Sequence, residues 1–112
     1  ALHLIGDVTG KTAIIVDDII DTAGTLTQAV DSLITNGAKR VFAVATHPVL
    51  SGPALKRIHE SSIEKLWVTD TIPLSPEASS SSKIEVISVA PLLAEAIKRI
   101  HGNDSISTLF ND

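Results

Sequence analysis

The apolar positions of this chain first form short continuous runs. Residues 12–16 read TAIIV and end abruptly in two aspartates, and residues 41–45 read VFAVA. A strand that is buried on both faces of a parallel sheet is apolar at nearly every position, so both runs predict buried parallel strands. Residues 66–68 predict a third strand and residues 83–89 a fourth.

Stretches of helical spacing separate these runs. Between residues 25 and 36 the apolar side chains recur every three or four positions, and an Asn-Gly pair then ends the predicted helix. Two further helices are predicted to begin at Pro53 and Pro91, because proline is favoured at the first helical position. They end at about Glu60 and at Gly102.

The order β-α-β-α-β-β-α is typical of an α/β domain. We therefore expect residues 1–112 to form a single domain, a three-layer fold with a mostly parallel sheet flanked by helices. The polar stretch at residues 73–82, which ends in four serines, is expected to be a flexible surface connection.

Composition narrows the possible functions. Of the 112 residues 44% are hydrophobic and only 3% are aromatic, so the core has to be aliphatic. The net charge of −4 and the few aromatics provide neither the basic face nor the stacking platforms of nucleic-acid-binding proteins. There is no cysteine, and no apolar run approaches the roughly 20 residues that span a bilayer. We expect no nucleic-acid partner, no membrane association and a cytoplasmic location, with a plastid form whose transit segment has been removed as the alternative.

The densest group of candidate functional residues lies where the first strand leads into the first helix. Residues 17–25 read DDIIDTAGT and contain three carboxylates, two hydroxyls and one glycine. Ligands of open α/β sheets bind at the carboxyl ends of the strands, and the free amides and the dipole of a helix N-terminus favour an anion. The segment therefore predicts a binding site for a phosphorylated sugar.

The predicted site has a sugar end and a phosphate end. Adjacent carboxylates on a strand point in different directions, so Asp17 and Asp18 are expected to accept hydrogen bonds from neighbouring sugar hydroxyls. At the turn, Gly24 lets the backbone approach a phosphate, and Thr22 and Thr25 add hydroxyl donors. A divalent cation shared with the ligand would offset the remaining repulsion.

A structural interpretation of the same residues is the alternative. Asp21 would then be a helix N-cap, and Asp17 and Asp18 a solvated strand end. The chain has neither a Walker loop nor a G-x-G-x-x-G dinucleotide motif. Its four histidines have no spacing typical of a metal site, and His47, at a strand end, is interpreted as a hydrogen-bonded structural residue.

Residues 16–25 (VDDIIDTAGT) resemble the ribose-phosphate-binding loop of the type I phosphoribosyltransferase fold. More closely, the loop looks like the version found in the ribose-phosphate pyrophosphokinase family, the phosphoribosyl pyrophosphate synthetases. The likeness continues in the same order through flanking segments at residues 4–8, 46–54, 68–73, 88–93 and 104–110. Family chains are much longer, and this chain is similar to their C-terminal part.

The resemblance implies a function. Members of the family use magnesium and transfer a pyrophosphoryl group from ATP to the 1-hydroxyl of ribose 5-phosphate. The resemblance implies that Asp17 and Asp18 hold the ribose hydroxyls. It also implies that the 5-phosphate is held by the residues of the turn: Asp21, Thr22, Ala23, Gly24 and Thr25. The family's ATP pocket, magnesium-binding His and catalytic Lys and Arg have no match in this chain. It is therefore expected to supply a substrate half-site and to be inactive alone.

The resemblance also concerns the C-terminal tail. In the family this stretch contributes to an allosteric phosphate site at a subunit interface, where phosphate and ADP act, within a homo-oligomer expected here to be a hexamer. It implies that Ser105 and Ser107 bind a regulatory phosphate. Leu109 and Phe110 are expected to anchor an extended tail by burial. An ordinary tail with solvent-facing serines is the alternative.

Two other functions stay open at this point. One is a nucleobase phosphoribosyltransferase that shares the fold, and the other is a non-catalytic regulatory homologue that binds ligand and partner subunits. The acid at Asp21 and the segment at residues 51–54 favour the pyrophosphokinase over the transferase. A catalytic Lys and Arg in a longer chain would exclude the regulatory homologue.

Overall fold

The computed structural model describes residues 4–110. Four parallel strands form one sheet in the order β1-β2-β3-β4: β1 is Thr12–Ile20, β2 is Arg40–Pro48, β3 is Lys65–Thr69 and β4 is Ile84–Ile87. Helices flank this sheet. The predicted α/β fold with a parallel sheet is confirmed.

Four α-helices connect and follow the strands. They are α1 at Gly24–Thr35, α2 at Ala54–Glu60, α3 at Pro76–Ser79 and α4 at Ala90–His101. A 3-10 helix at Ser107–Phe110 follows α4. In the part of the chain that the structure describes, no helix combines the length and the apolar character needed to cross a membrane.

The core lies between one face of the sheet and the first three helices. Small and aliphatic side chains of β2 and β3 are at most 1% exposed on this face: Val41, Ala43, Ala45, Leu66 and Val68. They form one cluster with buried side chains of α1, α2 and α3, among them Val30, Ile58 and Ala78. Among residues 4–110, no buried core residue is aromatic, so the aliphatic core predicted from composition is confirmed.

The other face of the sheet carries exposed apolar side chains. Ile14 and Val16 of β1 are 62% and 79% exposed, and Val44 of β2 is 37% exposed. Phe42 and Trp67 stack on the same face with their ring centroids 5.4 Å apart. The prediction that the first two strands are buried on both faces is therefore wrong for the described part of the chain. The last helix, α4, contributes no buried residue that would indicate packing on this face.

The polar stretch at residues 73–82 contains a helix. Ser75 precedes α3, and its hydroxyl accepts a 3.2 Å hydrogen bond from the Ala78 amide. Pro76 occupies the first helical turn, and Ala78 is 1% exposed. The expected flexible connection is therefore wrong here, because a serine N-cap followed by a proline is itself a helix-start sequence.

Candidate functional site

The two adjacent carboxylates lie within the first strand. β1 continues past Val16 to Ile20, so Asp17 and Asp18 do not follow the strand as the sequence had suggested. Asp17 pairs with Ala45 of β2, and its carboxylate accepts a 2.8 Å hydrogen bond from the Asp18 amide. Successive side chains of a strand point to opposite faces, so the two carboxylates serve different sides of β1.

A cavity of about 230 Å³ opens where β1 ends and α1 begins. Its lining includes most of the predicted site residues, namely Asp17, Asp21, Thr22, Ala23, Gly24 and Thr25. Asp18 is not part of the lining, so the structure brings one of the two adjacent carboxylates to the turn and leaves the other outside. Pockets for drug-sized ligands are roughly 300–1,000 Å³, so this cavity suits a smaller ligand.

Ala23 gives the turn its shape. Its backbone is left-handed, with φ 64° and ψ 14°, and its side chain is 4% exposed. This conformation costs an L-residue roughly 1–2 kcal/mol, and burial of the methyl group offsets part of that cost. Where a left-handed residue adjoins a right-handed one, successive backbone N–H groups converge and form a concavity that binds anions.

Within the described residues, no side chain caps the start of α1. The N-cap position is Ala23, so the structural interpretation of Asp21 as an N-cap is wrong. The Ala23 carbonyl accepts hydrogen bonds from the Thr27 amide at 3.0 Å and from the Thr27 hydroxyl at 2.8 Å. Amides in the first turn of a helix that lack a capping side chain favour an anionic partner.

The segment that follows β2 holds Asp21 in place. The Ser51 hydroxyl donates to the Asp21 carboxylate, and the Ser51 amide donates to the Asp21 carbonyl at 2.9 Å. The Leu50 amide donates to the Ile20 carbonyl at 3.1 Å. Positive φ angles at Leu50 (51°) and Gly52 (56°) turn the chain here. Sequence reasoning had treated this segment only as a family marker, and Gly52 was the visible sign of the turn.

Arg57 of α2 is a second residue that sequence reasoning missed. Its Nη1 donates a 3.1 Å hydrogen bond to the Thr22 carbonyl. A Cβ atom on Gly24 would lie 3.2 Å from the same nitrogen. Arg57 thus places a positive charge against a turn whose cavity is lined by two carboxylates, those of Asp17 and Asp21.

The carboxylates of the cavity fit the magnesium ion that the resemblance implies. Residues 4–110 contain no group of three or more His, Asp or Glu side chains placed to hold a metal. Magnesium typically keeps several waters and takes one or two carboxylates together with substrate oxygens. Asp17 and Asp21 can supply these one or two carboxylates, so the residues present suit a cation that is held jointly with a ligand.

Polar residues at the ends of β2 and β3 have structural partners. His47 Nδ1 lies 2.8 Å from Thr71 Oγ1, as expected of a hydrogen-bonded structural histidine. Asp70 accepts hydrogen bonds from the Ser88 hydroxyl and, at 2.9 Å, from the Val89 amide. These two bonds, the Ser88 bond first, hold the pKa of Asp70 below its usual 3.8. The carboxylate thereby ties the end of β3 to the start of α4.

The tail differs from its expected shape. It forms a 3-10 helix and is not extended, and Phe110 is 72% exposed, so the expected anchoring of Phe110 by burial is wrong. The hydroxyl oxygens of Ser105 and Ser107 are nevertheless 2.8 Å apart and face a common side. Arg99 of α4 donates to the Ser105 carbonyl at 3.3 Å.

Comparison with known proteins places the chain in a family. A model of the phosphoribosyl synthetase-associated domain matches residues 1–111. The chain belongs to this family. The confirmed family agrees with the resemblance that residues 16–25 and their flanking segments indicated.

Relatives of this phosphoribosyl synthetase-associated domain are named ribose-phosphate pyrophosphokinase. The protein from Oceanobacillus iheyensis is 57% identical over 110 residues, which are 98% of this chain and 34% of the relative. The protein from Caldanaerobacter subterraneus subsp. tengcongensis is 59% identical over 109 residues, which are 97% of this chain and 34% of the relative.

A solved structure shares the fold of the domain. The crystal structure of phosphoribosylpyrophosphate synthetase from Mycobacterium smegmatis matches with a TM-score of 0.84 and 44% sequence identity, covering 88% of this chain and 33% of that chain. The domain spans about a third of the length of the relatives it matches. Their named activity is that of chains in which the matching region is one part.

Proposed function

We propose that this domain is the ribose 5-phosphate-binding part of a ribose-phosphate diphosphokinase and corresponds to the C-terminal part of the longer family chains. The complete enzyme transfers pyrophosphate from ATP to ribose 5-phosphate and gives phosphoribosyl pyrophosphate and AMP. The observation that carries the proposal is the cavity of about 230 Å³ between the carboxyl end of β1 and the uncapped start of α1.

The 5-phosphate binds at the turn in this proposal. The converging amides of Ala23, Gly24 and Thr25 donate to the phosphate oxygens, and the hydroxyls of Thr22 and Thr25 add two donors. Asp21 belongs to the same turn, and its carboxylate is held by the Ser51 hydroxyl. That bond supports a role for Asp21 in shaping the turn beside an anion.

The ribose hydroxyls bind at the strand end of the cavity. Asp17, which lines the cavity, accepts hydrogen bonds from the sugar. Asp18, which lies outside the lining, reaches a sugar hydroxyl only at the rim. Asp17 and Asp21 would hold magnesium, which would supply positive charge to offset the repulsion between these carboxylates and the phosphate.

ATP and the groups that act on it belong to the rest of the enzyme. Phosphoryl transfer depends on cations placed around the developing charge, and none of the residues that line the cavity is a Lys or Arg. We therefore expect the 112-residue chain to release no AMP above background with ATP, magnesium and ribose 5-phosphate. Turnover by the purified chain would overturn the half-site proposal. A catalytic Lys and Arg in the longer chain would separate the enzyme from a non-catalytic regulatory homologue.

Titration with ribose 5-phosphate tests the site directly. Amide resonances should shift in a saturable manner, with the largest changes between Thr22 and Thr25, because these amides contact the phosphate. Ribose without its phosphate should shift them much less. Saturable changes centred elsewhere, or none at all, would refute the assignment.

A second proposal concerns the tail. We propose that Ser105 and Ser107 bind a regulatory phosphate in a homo-oligomer of the complete enzyme, a hexamer. The 2.8 Å separation of their hydroxyl oxygens supports it. Beside the tail lies a cavity of about 430 Å³ that is lined by Ser105 but not by Ser107, and its lining combines Lys98 and Arg99 with the carboxylates of Glu95 and Asp104.

A further inference from the structure

Arg57 contacts the turn from helix α2, outside the segment of residues 17–25. Its Nη1 donates to the Thr22 carbonyl at 3.1 Å. Asp31 and Glu60 line the same surface groove as Arg57, yet within residues 4–110 neither forms an ion pair with the guanidinium. Among the described residues, the positive charge of Arg57 beside the turn is therefore held in no direct ion pair.

The hydrogen bond from Arg57 also fixes the direction of an amide. A trans peptide is planar, so its C=O and the following N–H point in opposite directions. The Thr22 carbonyl points toward Arg57, and the Ala23 amide N–H therefore points away from Arg57. Ala23 is the left-handed residue of the turn and lines the cavity. Rotation of this peptide would remove its N–H from the converging set.

Gly24 lies close to the guanidinium of Arg57. A Cβ atom at this position would stand 3.2 Å from Arg57 Nη1 and 3.9 Å from its Cζ. The first of these distances is tighter than most Cβ contacts, so a methyl group at residue 24 would require the flexible end of the Arg57 side chain to shift by a few tenths of an ångström. The glycine thus serves the packing of Arg57 against the turn as well as the approach of a ligand.

We infer that Arg57 is a positioning residue of the anion site: it holds the Thr22–Ala23 peptide in its binding orientation and offsets, through the backbone, the negative charge of the phosphate. The inference rests on the proposed function, because it concerns the same cavity. Arg57 acts from behind the turn and does not touch the ligand. It is the complement in charge to Asp17 and Asp21, which line the cavity.

The test uses the 112-residue chain and two probes, ribose 5-phosphate and inorganic phosphate, with affinities measured from amide shifts. Arg57→Met removes the charge and the donor, and Arg57→Lys keeps both. Lys56→Gln removes one charge from the neighbouring exposed position of α2 and is the matched control.

Arg57→Met should bind both probes about tenfold more weakly, which is the effect of losing one charge-assisted hydrogen bond. Arg57→Lys should recover part of the affinity, and Lys56→Gln should change it by less than about twofold.

Melting temperatures separate positioning from folding. Arg57 is exposed, so we expect the variants to melt close to the parent chain, while the Ala23 amide resonance moves in Arg57→Met even without ligand. Equal affinity of Arg57→Met and the parent would overturn the inference and leave the proposed function standing. If the parent chain binds neither ribose 5-phosphate nor inorganic phosphate, both the inference and the proposed function are overturned. If Arg57→Met does not fold, Arg57→Gln decides in its place: weaker binding than Arg57→Lys supports the inference, and parental affinity overturns it.

Discussion

Ser51 donates two hydrogen bonds to Asp21, one from its hydroxyl to the carboxylate and one of 2.9 Å from its amide to the carbonyl. The two residues are 30 positions apart. The turn that follows β1 is thus held by the segment that follows β2, and Arg57 adds a third contact from α2. The shape of the site depends on two neighbouring loops of the sheet.

The first prediction follows from the hydrogen bond between the Ser51 hydroxyl and the Asp21 carboxylate. Ser51→Ala removes the hydroxyl bond and keeps the amide bond, so Asp21 loses one of its two restraints. We expect about fivefold weaker binding of ribose 5-phosphate, within the usual contribution of one hydrogen bond, at an almost unchanged melting temperature. Ser62→Ala, at another exposed serine, is the control in the same titration. Parental affinity in Ser51→Ala would show that the carboxylate needs no such restraint.

The second prediction concerns Gly24 and Arg57 together. Gly24→Ala should weaken phosphate binding modestly, because its Cβ requires the guanidinium to shift by a few tenths of an ångström. In an Arg57→Met background the same change should cost less, since no guanidinium is left to displace. Phosphate titrations of both single variants and the double variant should give a coupling of about 1 kcal/mol. Strictly additive losses would mean that Gly24 serves the ligand alone.

The third prediction separates the two ends of the cavity. Asp17→Asn removes a negative charge and an acceptor that we assign to the sugar. Ribose 5-phosphate should bind about tenfold more weakly, whereas inorganic phosphate should bind equally well or better. Asp31→Asn removes the same charge at an exposed position of α1 and should weaken neither. Equal losses of both probes in Asp17→Asn would contradict the division of roles.

The fourth prediction concerns acid stability. Hydrogen bonds from the Ser88 hydroxyl and then the Val89 amide hold the pKa of Asp70 below 3.8. A lowered pKa in the folded state means that the unfolded state binds more protons, so this carboxylate stabilises the fold above about pH 3.8 and stops doing so as the pH falls through the folded pKa.

Melting temperatures recorded between about pH 6 and pH 2 test whether the stability contributed by Asp70 is lost as the pH falls. Asp70→Asn should have a shallower acid slope than the parent chain, because its amide does not titrate. Some slope should persist, since hydrogen bonds from Thr9 and Arg40 also lower the pKa values of Asp7 and Glu64. Identical slopes in the two chains would show that Asp70 has no part in the acid transition.

The fifth prediction tests the tail in the complete enzyme. Ser105→Leu combined with Ser107→Leu removes both hydroxyls that we assign to the regulatory phosphate. Inhibition by ADP at saturating ribose 5-phosphate should be blunted, while catalysis itself changes less. Steady-state assays together with the sedimentation of the assembly measure both. Unchanged inhibition in an intact assembly would refute the assignment.

Local sequence patterns predicted most of the strands and helices and the segment that lines the cavity, but they missed α3. The apolar run at residues 12–16 and the spacing at residues 25–36 predicted β1 and α1. Of the polar residues between them, Asp17, Asp21 and Thr22 line the cavity and Asp18 does not. The length of β1 was underestimated, because aspartates such as Asp17 and Asp18 are poor strand formers. Pairing of Asp17, Ile19 and Ile20 with β2 outweighs that propensity.

The contacts that shape the turn could not be read from the sequence in the same way. Ser51 and Arg57 reach it from segments far along the chain, and neither periodicity nor composition encodes which side chains meet. The left-handed backbone of Ala23 was equally hidden, since alanine rarely adopts it and tertiary packing of its methyl group is what maintains it. Exposure of Ile14 and Val16 depends on which elements cover the sheet, and a continuous apolar run does not reveal that.

The exposed face of β1 has a consequence for the behaviour of the isolated domain. β1 is an edge strand of the described sheet, so its free backbone groups and its exposed Ile14 and Val16 offer a template for pairing with another chain. Asp17 and Asp18 interrupt the apolar sequence of this strand between Val16 and Ile19. Charges in such a position act as gatekeepers against aggregation. We therefore expect the carboxylates assigned to the sugar to oppose such pairing as well, so that variants that neutralise both lose binding and colloidal stability together.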